Sequence, residues 1–408
     1  MLANPPQPES GDTVVLERTD TGESELTVSE LMLVVDAIAK LGVQTLVLSG
    51  GEPLSRGEEL FRVLQEAKKC GLKTGLLTNG IKPDHTPLSP DECRRLFDYC
   101  EWLQISIDSF DHTPYRQPDG SEKTRYMLIR GIDGLDIALT SLKNLRQGLS
   151  AAKPGSTGTL RDHLEICYTI QKDNIEEVAH TRALLEKNGL DWCWDLLRFK
   201  YAHGPEPINP DGKVSSSSGF LCKAEDIQRL IRTMSSDDHF SYLTDGSRFL
   251  PPDVALGQPT LGMAGRFREM GIPRKCQALN FTCTIDAFGH IYPCCFLFDD
   301  NSDRPDVRAK YHMGSLRPSN RESVGDDCFD LLRKAWQGGQ LNELRSRDLM
   351  IDEKACCYCT RHIYNNEFLN KLQRALDTYG EHFDLENIED ILSSTPGAGL
   401  RAPHPYWL

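Results

Sequence analysis

Short apolar runs alternate with helical segments at nearly constant spacing in the first half of the chain. No other feature constrains the fold as strongly. The runs TLVLS (residues 45–49), which reads as a buried strand, KTGLL (73–77) and WLQISI (102–107) centre near positions 46, 75 and 104. A period of about 29 residues fits one strand, one return helix and their loops, the unit of a parallel sheet. The helical stretches carry matching start and stop signals. Thr27 and Glu30 have capping-box spacing; Leu31, Val34, Val35, Ile38 and Leu41 recur at helical spacing; Gly42 ends the stretch. A second helix is expected over 57–70, stopping at Gly71, and Ser89-Pro90-Asp91-Glu92 opens a third.

The alternation continues with a helix expected at about 131–148, a loop at 153–159 and a strand at 163–170. A helix at 174–187, ended by Gly189, and a fifth strand at 192–199 follow. Five strands alternating with helices predict an α/β fold, a parallel sheet or barrel with helices outside. Residues 1–26 read as an N-terminal arm and 27–201 as the barrel. Residues 202–275 read as linker and connecting helices, 276–365 as a small cysteine-rich domain, and 366–408 as a C-terminal helix and tail. Helices are expected at 223–235 and 363–378.

Asp plus Glu number 60 against 46 Lys plus Arg, a formal net charge of −14. That balance argues against a nucleic-acid partner. No run approaches the roughly 18 uninterrupted apolar residues of a membrane span. The start, MLANPPQPESGD, has neither the basic residues nor the apolar run of a secretory signal. A cytoplasmic protein without a membrane partner is expected. In that compartment fourteen cysteines point to metal or redox chemistry rather than disulfides. Cys70, Cys93, Cys100, Cys167, Cys193 and Cys222 are scattered and read as small core residues, while the other eight lie between Cys276 and Cys359.

The ends of the expected strands share one character. Gly50-Gly51-Glu52-Pro53-Leu54 follows the first strand and Thr78-Asn79-Gly80 the second; Ser106, Asp108 and Ser109 close the third. Arg130-Gly131 precedes the next helix, and Lys172-Asp173-Asn174 follows the fourth strand. In parallel α/β folds that end of the sheet is the ligand end. Paired glycines let backbone come close to a ligand, and Glu52 offers a carboxylate to a cationic group.

GGEPL, TNG and SID, in this order and after successive strands, resemble the radical S-adenosylmethionine (radical SAM) enzymes over about residues 27–200. The resemblance implies a partial (β/α)6 TIM-like barrel. It implies that Gly50, Gly51, Glu52 and Pro53 meet the amino group of the methionine moiety. Asn79, Ser106, Asp108 and Arg130 would approach its ribose and carboxylate. It also implies a radical-generating [4Fe-4S] cluster, a 5′-deoxyadenosyl radical, and a reductant such as flavodoxin or ferredoxin. The substrate would be a peptide or a small molecule that is oxidised or crosslinked. One departure stands out. The family holds that cluster with a CxxxCxxC loop before the GGEP strand, and here the first cysteine is Cys70. Two explanations are open: a chain that starts late, which the intact rim favours, or a degenerate member that binds without catalysis. Residues 1–408 alone are expected to be inactive in cofactor cleavage.

The second half resembles the SPASM/twitch extension of the same family. Seventeen residues separate Cys276 from Cys294; Cys283 lies between them, and Gly289 with Pro293-Cys294 predicts a β-hairpin. Cys356-Cys357-Tyr358-Cys359 supplies a CxxC knuckle. Cys276, Cys294, Cys356 and Cys359 are the best-spaced ligands for one auxiliary [4Fe-4S] cluster, and Cys283 could displace one of them. A zinc site would use the same ligand chemistry. Cys295, Cys328 and Cys357 read as structural.

Overall fold

The computed structural model describes residues 24–117, 120–153, 160–201, 230, 277–280, 282–294, 309–318 and 322–346. The helix expected at 223–235 (Leu230 apart) and that at 363–378 lie outside these residues, as do Cys276, Cys356 and Cys359.

The chain enters through α1 (Val28–Lys40). Thr27 Oγ1 accepts from the Glu30 amide, and Glu30 Oε2 accepts from the Thr27 amide at 2.8 Å, which is the expected capping box. β1 (Thr45–Leu48), α2 (Glu58–Lys69), β2 (Lys73–Thr78), α3 (Pro90–Tyr99) and β3 (Trp102–Ser106) follow within a residue or two of their expected bounds. Ser89 and Glu92 make a second capping box at α3, with Pro90 at its first position. A short antiparallel ribbon, β4 (Tyr115–Arg116) and β5 (Glu122–Lys123), leads to α4 (Arg125–Arg130), α5 (Leu135–Ala152), β6 (Leu164–Ile170), α6 (Thr181–Lys187) and β7 (Leu197–Tyr201).

Five of these strands form one parallel sheet in the order β1-β2-β3-β6-β7. The predicted α/β fold with a parallel sheet is therefore present. Side chains alternate across it. Leu103, Ile105, Leu164, Ile166, Leu197 and Phe199 face a core shared with α2, α3 and α5. Between them Gln104 and Glu165 sit directly opposite each other, and Arg198 lies 3.3 Å from Glu165. Gly148 lets α5 lie against α3: a Cβ there would come within 2.5 Å of Cys93 Cβ.

Four expectations need correction. β1 is an edge strand with Val47 38% exposed, not a fully buried one. Residues 191–196 form a 3₁₀ turn, and the last strand starts only at Leu197. Arg146 and Arg182 stack on Trp192 and Trp194, so these indoles cover the outside instead of alternating in a strand. The helix expected at 131–148 occupies 135–152, because Gly131 takes the left-handed conformation that caps α4. Finally, only 181–187 of the helix expected at 174–187 is α-helical. Asn174 is held by the end of β6, accepting from the Gln171 amide and donating to the Thr169 carbonyl, and that competes with helix start.

The cysteine-rich half contributes β8 (Thr284–Ile285), β9 (His290–Tyr292), β10 (Gly314–Ser315), α7 (Cys328–Gln337) and α8 (Gly339–Ser346). The expected hairpin is present, with Gly289 at φ 91 and Thr284 opposite Tyr292. This register puts Cys283 and Cys294 at the same open end. The unit packs on the barrel's first helices: Ile291, Leu316, Val324, Cys328 and Leu332 share a second core with Val34, Val35 and Ile38 of α1 and Val63 and Ala67 of α2. Among the described residues no helix is long and apolar enough to cross a membrane.

Candidate functional site

The parallel sheet brings the ends of β1, β2, β3 and β6 to one rim. β1 leaves the sheet through Gly50 and Gly51, at φ 85 and φ 38, conformations that strain any residue with a Cβ. The turn delivers Glu52 in extended conformation at the start of a 3₁₀ turn, Pro53–Arg56. Glu52 Oε1 accepts from Thr78 Oγ1 at 2.6 Å and from the Leu54 amide at 3.0 Å. Oε2 accepts from the Asn79 amide at 2.7 Å. Burial pushes the Glu52 carboxyl above its ordinary range, while those hydrogen bonds and the Arg130 charge pull it back. A carboxylate has about four lone-pair sites. Three are used here, so Oε2 keeps one acceptor position for a ligand.

Asn79 is only partly available. Its Oδ1 folds back to accept from the Ile81 amide at 2.7 Å, an Asx turn that shapes the rim. Asp108 is 3% exposed and fully engaged. Oδ1 accepts from the Thr169 amide at 2.7 Å, and Oδ2 lies 2.6 Å from Arg130 Nη2. Burial alone would lower the Arg130 guanidinium; the Asp108 carboxylate, with Tyr126, Cys167 and Glu52 adding to it, raises it instead and holds the charge in place. Asp108 therefore orients Arg130 and ties β3 to β6. Ser106, half-buried, ends β3 opposite Cys167 of β6. The fold thus brings Glu52, Asn79, Asp108 and Arg130 to one rim.

Two rim residues escaped the sequence reading. Tyr126 sits one helical turn before Arg130 on α4 and is fully buried. A signal existed: Thr124 and Gly131 bracket the helix as N-cap and C-cap. Glu177 stands under the third strand's loop, where Oε2 accepts from Ser109 Oγ and Oε1 from the Phe110 amide, both at 2.6 Å. Burial pushes its carboxyl up to about 7 against those two bonds. No sequence spacing links position 177 to 109.

Three thiolates for a radical-generating cluster do not fit the rim described here. The first cysteine, Cys70, caps the C-terminus of α2, just before β2 begins, and so lies at the opposite end of the sheet. Cys93, Cys100, Cys167 and Cys193 are buried as expected. Burial pushes the Cys93 and Cys100 thiols up to about 12, which makes them inert core groups. Among the described residues no three His, Cys, Asp or Glu side chains are grouped to hold a metal.

With this geometry established, comparison with known proteins identifies the class. Residues 8–198, a little under half of the chain, match the model of the radical SAM superfamily. Relatives among characterised proteins carry enzyme names. The AdoMet-dependent heme synthase of Methanosarcina barkeri is 29% identical over 277 residues, 67% of this chain and 69% of its own length. The GTP 3′,8-cyclase of Tolumonas auensis is 32% identical over 123 residues, 30% of this chain and 34% of its own. Among solved structures, Streptococcus suis SuiB bound to S-adenosylmethionine is 15% identical, with a TM-score of 0.45 over 85% of this chain and 67% of SuiB.

Proposed function

We propose that this chain is a radical SAM oxidoreductase of the SPASM/twitch type, acting on a peptide or small molecule, and that its rim binds S-adenosylmethionine. The observation that carries the cofactor reading is Glu52: a carboxylate fixed by three protein hydrogen bonds, with one acceptor position left, behind two positive-φ glycines. Glu52 and Asp108 outnumber Arg130 in charge, which suits a sulfonium cofactor that also carries an ammonium. Gly50 and Gly51 leave the backbone open to it, and Asp108 holds Arg130 towards its polar groups. A reductant such as flavodoxin or ferredoxin supplies electrons in this reading. Cys283 and Cys294, at the hairpin's open end, would join Cys276, Cys356 and Cys359 as the ligand pool of one auxiliary cluster.

A second reading, a binding protein without cofactor cleavage, is favoured by the position of Cys70 at the far end of the sheet. In that second reading the chain binds S-adenosylmethionine without cleaving it. Equilibrium dialysis with S-adenosylmethionine tests the binding, and Glu52→Gln should weaken it at least about tenfold by removing a charged partner. Anaerobic reconstitution with iron, sulfide and dithionite, followed by assay for 5′-deoxyadenosine, tests the cleavage. Wild type that fails to bind refutes the cofactor reading; 5′-deoxyadenosine formed by the reconstituted protein refutes the non-cleaving reading.

A further inference from the structure

An open groove of about 700 Å³ lies on the outside of the barrel, lined by Lys143, Arg146, Gln147, Ser150 and Ala151 of α5 and by Trp192 of the 3₁₀ turn before β7. Lys143, Arg146, Gln147 and Ser150 are spaced i, i+3, i+4 and i+7, so they share one helix face, and all four are exposed. The groove lies towards the end of the sheet opposite the rim. Just beyond it Lys153, which follows α5, reaches Glu101 at 3.2 Å, and Glu101 directly precedes β3. No lining residue is acidic, and among the described residues neither Lys143 nor Arg146 has a carboxylate partner. The helix dipole does not account for these cations, because its pull fades within the last turn and both lie before it. Arg146 packs its guanidinium over the Trp192 ring, 4.6 Å from the centroid. Stacking occupies the flat face of a guanidinium and leaves its in-plane N–H donors free to grip a carboxylate. Ser150 Oγ donates to the Arg146 carbonyl at 3.0 Å, so it presents lone pairs to the groove, while the Gln147 amide offers a donor and an acceptor.

We infer that this groove docks an acidic peptide segment of a partner, whose alternate carboxylates Lys143 and Arg146 hold. Side chains one helical turn apart have Cβ atoms roughly 5–6 Å from each other. Alternate side chains of an extended peptide are about 7 Å apart, close to that spacing. The face from Lys143 to Ser150 runs about 10 Å, the length of three extended residues. Gln147 and Ser150 then meet the main-chain N–H and C=O groups, and Ala151 with Trp192 forms an apolar wall for the side chain between the two carboxylates. Inorganic phosphate would use the two cations but neither Gln147, Ser150 nor that wall. A net charge of −14 repels an acidic partner from most of the surface, so an unpaired cationic groove decides where it lands. None of these residues lies at the rim, and the inference stands apart from the cofactor reading.

Calorimetric titration of the full chain with an alternating glutamate–alanine octapeptide at low salt tests the docking site. Wild type should bind one peptide per chain, more weakly as salt is raised, and the glutamine–alanine counterpart should bind at least about tenfold less tightly. Lys143→Gln/Arg146→Gln should weaken the acidic peptide at least about tenfold and melt as wild type does, since both side chains are exposed. Lys143→Gln alone leaves the Arg146 stack on Trp192 in place and should weaken it about threefold, which reads the charge without the packing. Absence of peptide binding overturns the inference, as does equal affinity of wild type and both variants. Tighter binding of inorganic phosphate, lost in the double variant, would assign the cations to a small anion and overturn it too. Self-association of wild type in light scattering, abolished in the double variant, would give this face to a second copy of the chain, with the same consequence.

Discussion

Arg317 donates from Nε to Oε1 of Glu30 at 2.8 Å, joining side chains 287 positions apart. The same oxygen accepts from the Val324 amide at 2.8 Å, and Oε2 caps α1 through Thr27. One carboxylate therefore closes the first helix of the barrel and clasps the cysteine-rich unit against it. Arg317 and Glu30 side chains are only 11% and 7% exposed, so the pair is shielded from the screening that weakens surface pairs.

Removing one partner of a shielded pair leaves the other uncompensated. Arg317→Met should cost about 3 kcal/mol, read from urea unfolding at pH 7. Burial would raise the Glu30 carboxyl, yet the bonds from Arg317, Thr27 and Val324 hold it at about 2. A carboxylate with a lowered folded-state pKa contributes stability that is fully present above its unfolded value. It is lost as pH falls from about 4.5 towards 2. Wild type should lose stability more steeply than Arg317→Met over that window. Parallel acid-unfolding curves would contradict the clasp.

Glu177 predicts the opposite sign. Burial lifts its folded-state pKa to about 7, so the folded state holds a proton that the unfolded chain releases near 4.5. Its contribution to stability therefore falls as pH rises from about 4.5 to 7. Glu177→Gln keeps an acceptor for the Phe110 amide and does not titrate. Its unfolding free energy should be flatter across this window than that of wild type, measured in a urea series at several pH values. An unchanged slope would remove Glu177 as the titrating group.

Gly148→Ala tests the packing that supports the rim. The new methyl would lie 2.6 Å from the Arg94 backbone nitrogen as well as close to Cys93, so α5 and α3 must separate. Overpacking of this kind costs about 1–3 kcal/mol and outweighs the helix propensity gained from alanine. A melt unchanged or raised relative to wild type would show that the helices shift without penalty.

Anaerobically purified protein should carry about four irons per chain with matching sulfide, if the cysteine-rich unit holds one cubane cluster. Cys356→Ala/Cys359→Ala should lose that iron together with its visible absorption. Zinc without iron would make the site a structural staple and favour the non-catalytic reading.

Local signals in the sequence determined much of this protein. The capping boxes at Thr27 and Ser89, the stops at Gly42 and Gly71, and the spacing of the first three strands act over a few residues, and the helices and strands form where they point. The same spacing brought Glu52, Asn79, Asp108 and Arg130 to one end of a parallel sheet, because every strand in such a sheet ends on the same side. Tertiary structure decided what depended on distant partners. Asn174 left its expected helix for the end of β6, Glu30 served a second unit besides its own helix, and β1 became an edge. Tyr126 and Glu177 joined the rim for the same reason. Their roles come from burial and from neighbours dozens of residues away in the chain; the caps at Thr124 and Gly131 mark the helix that carries Tyr126 but not its burial, and nothing local marks Glu177.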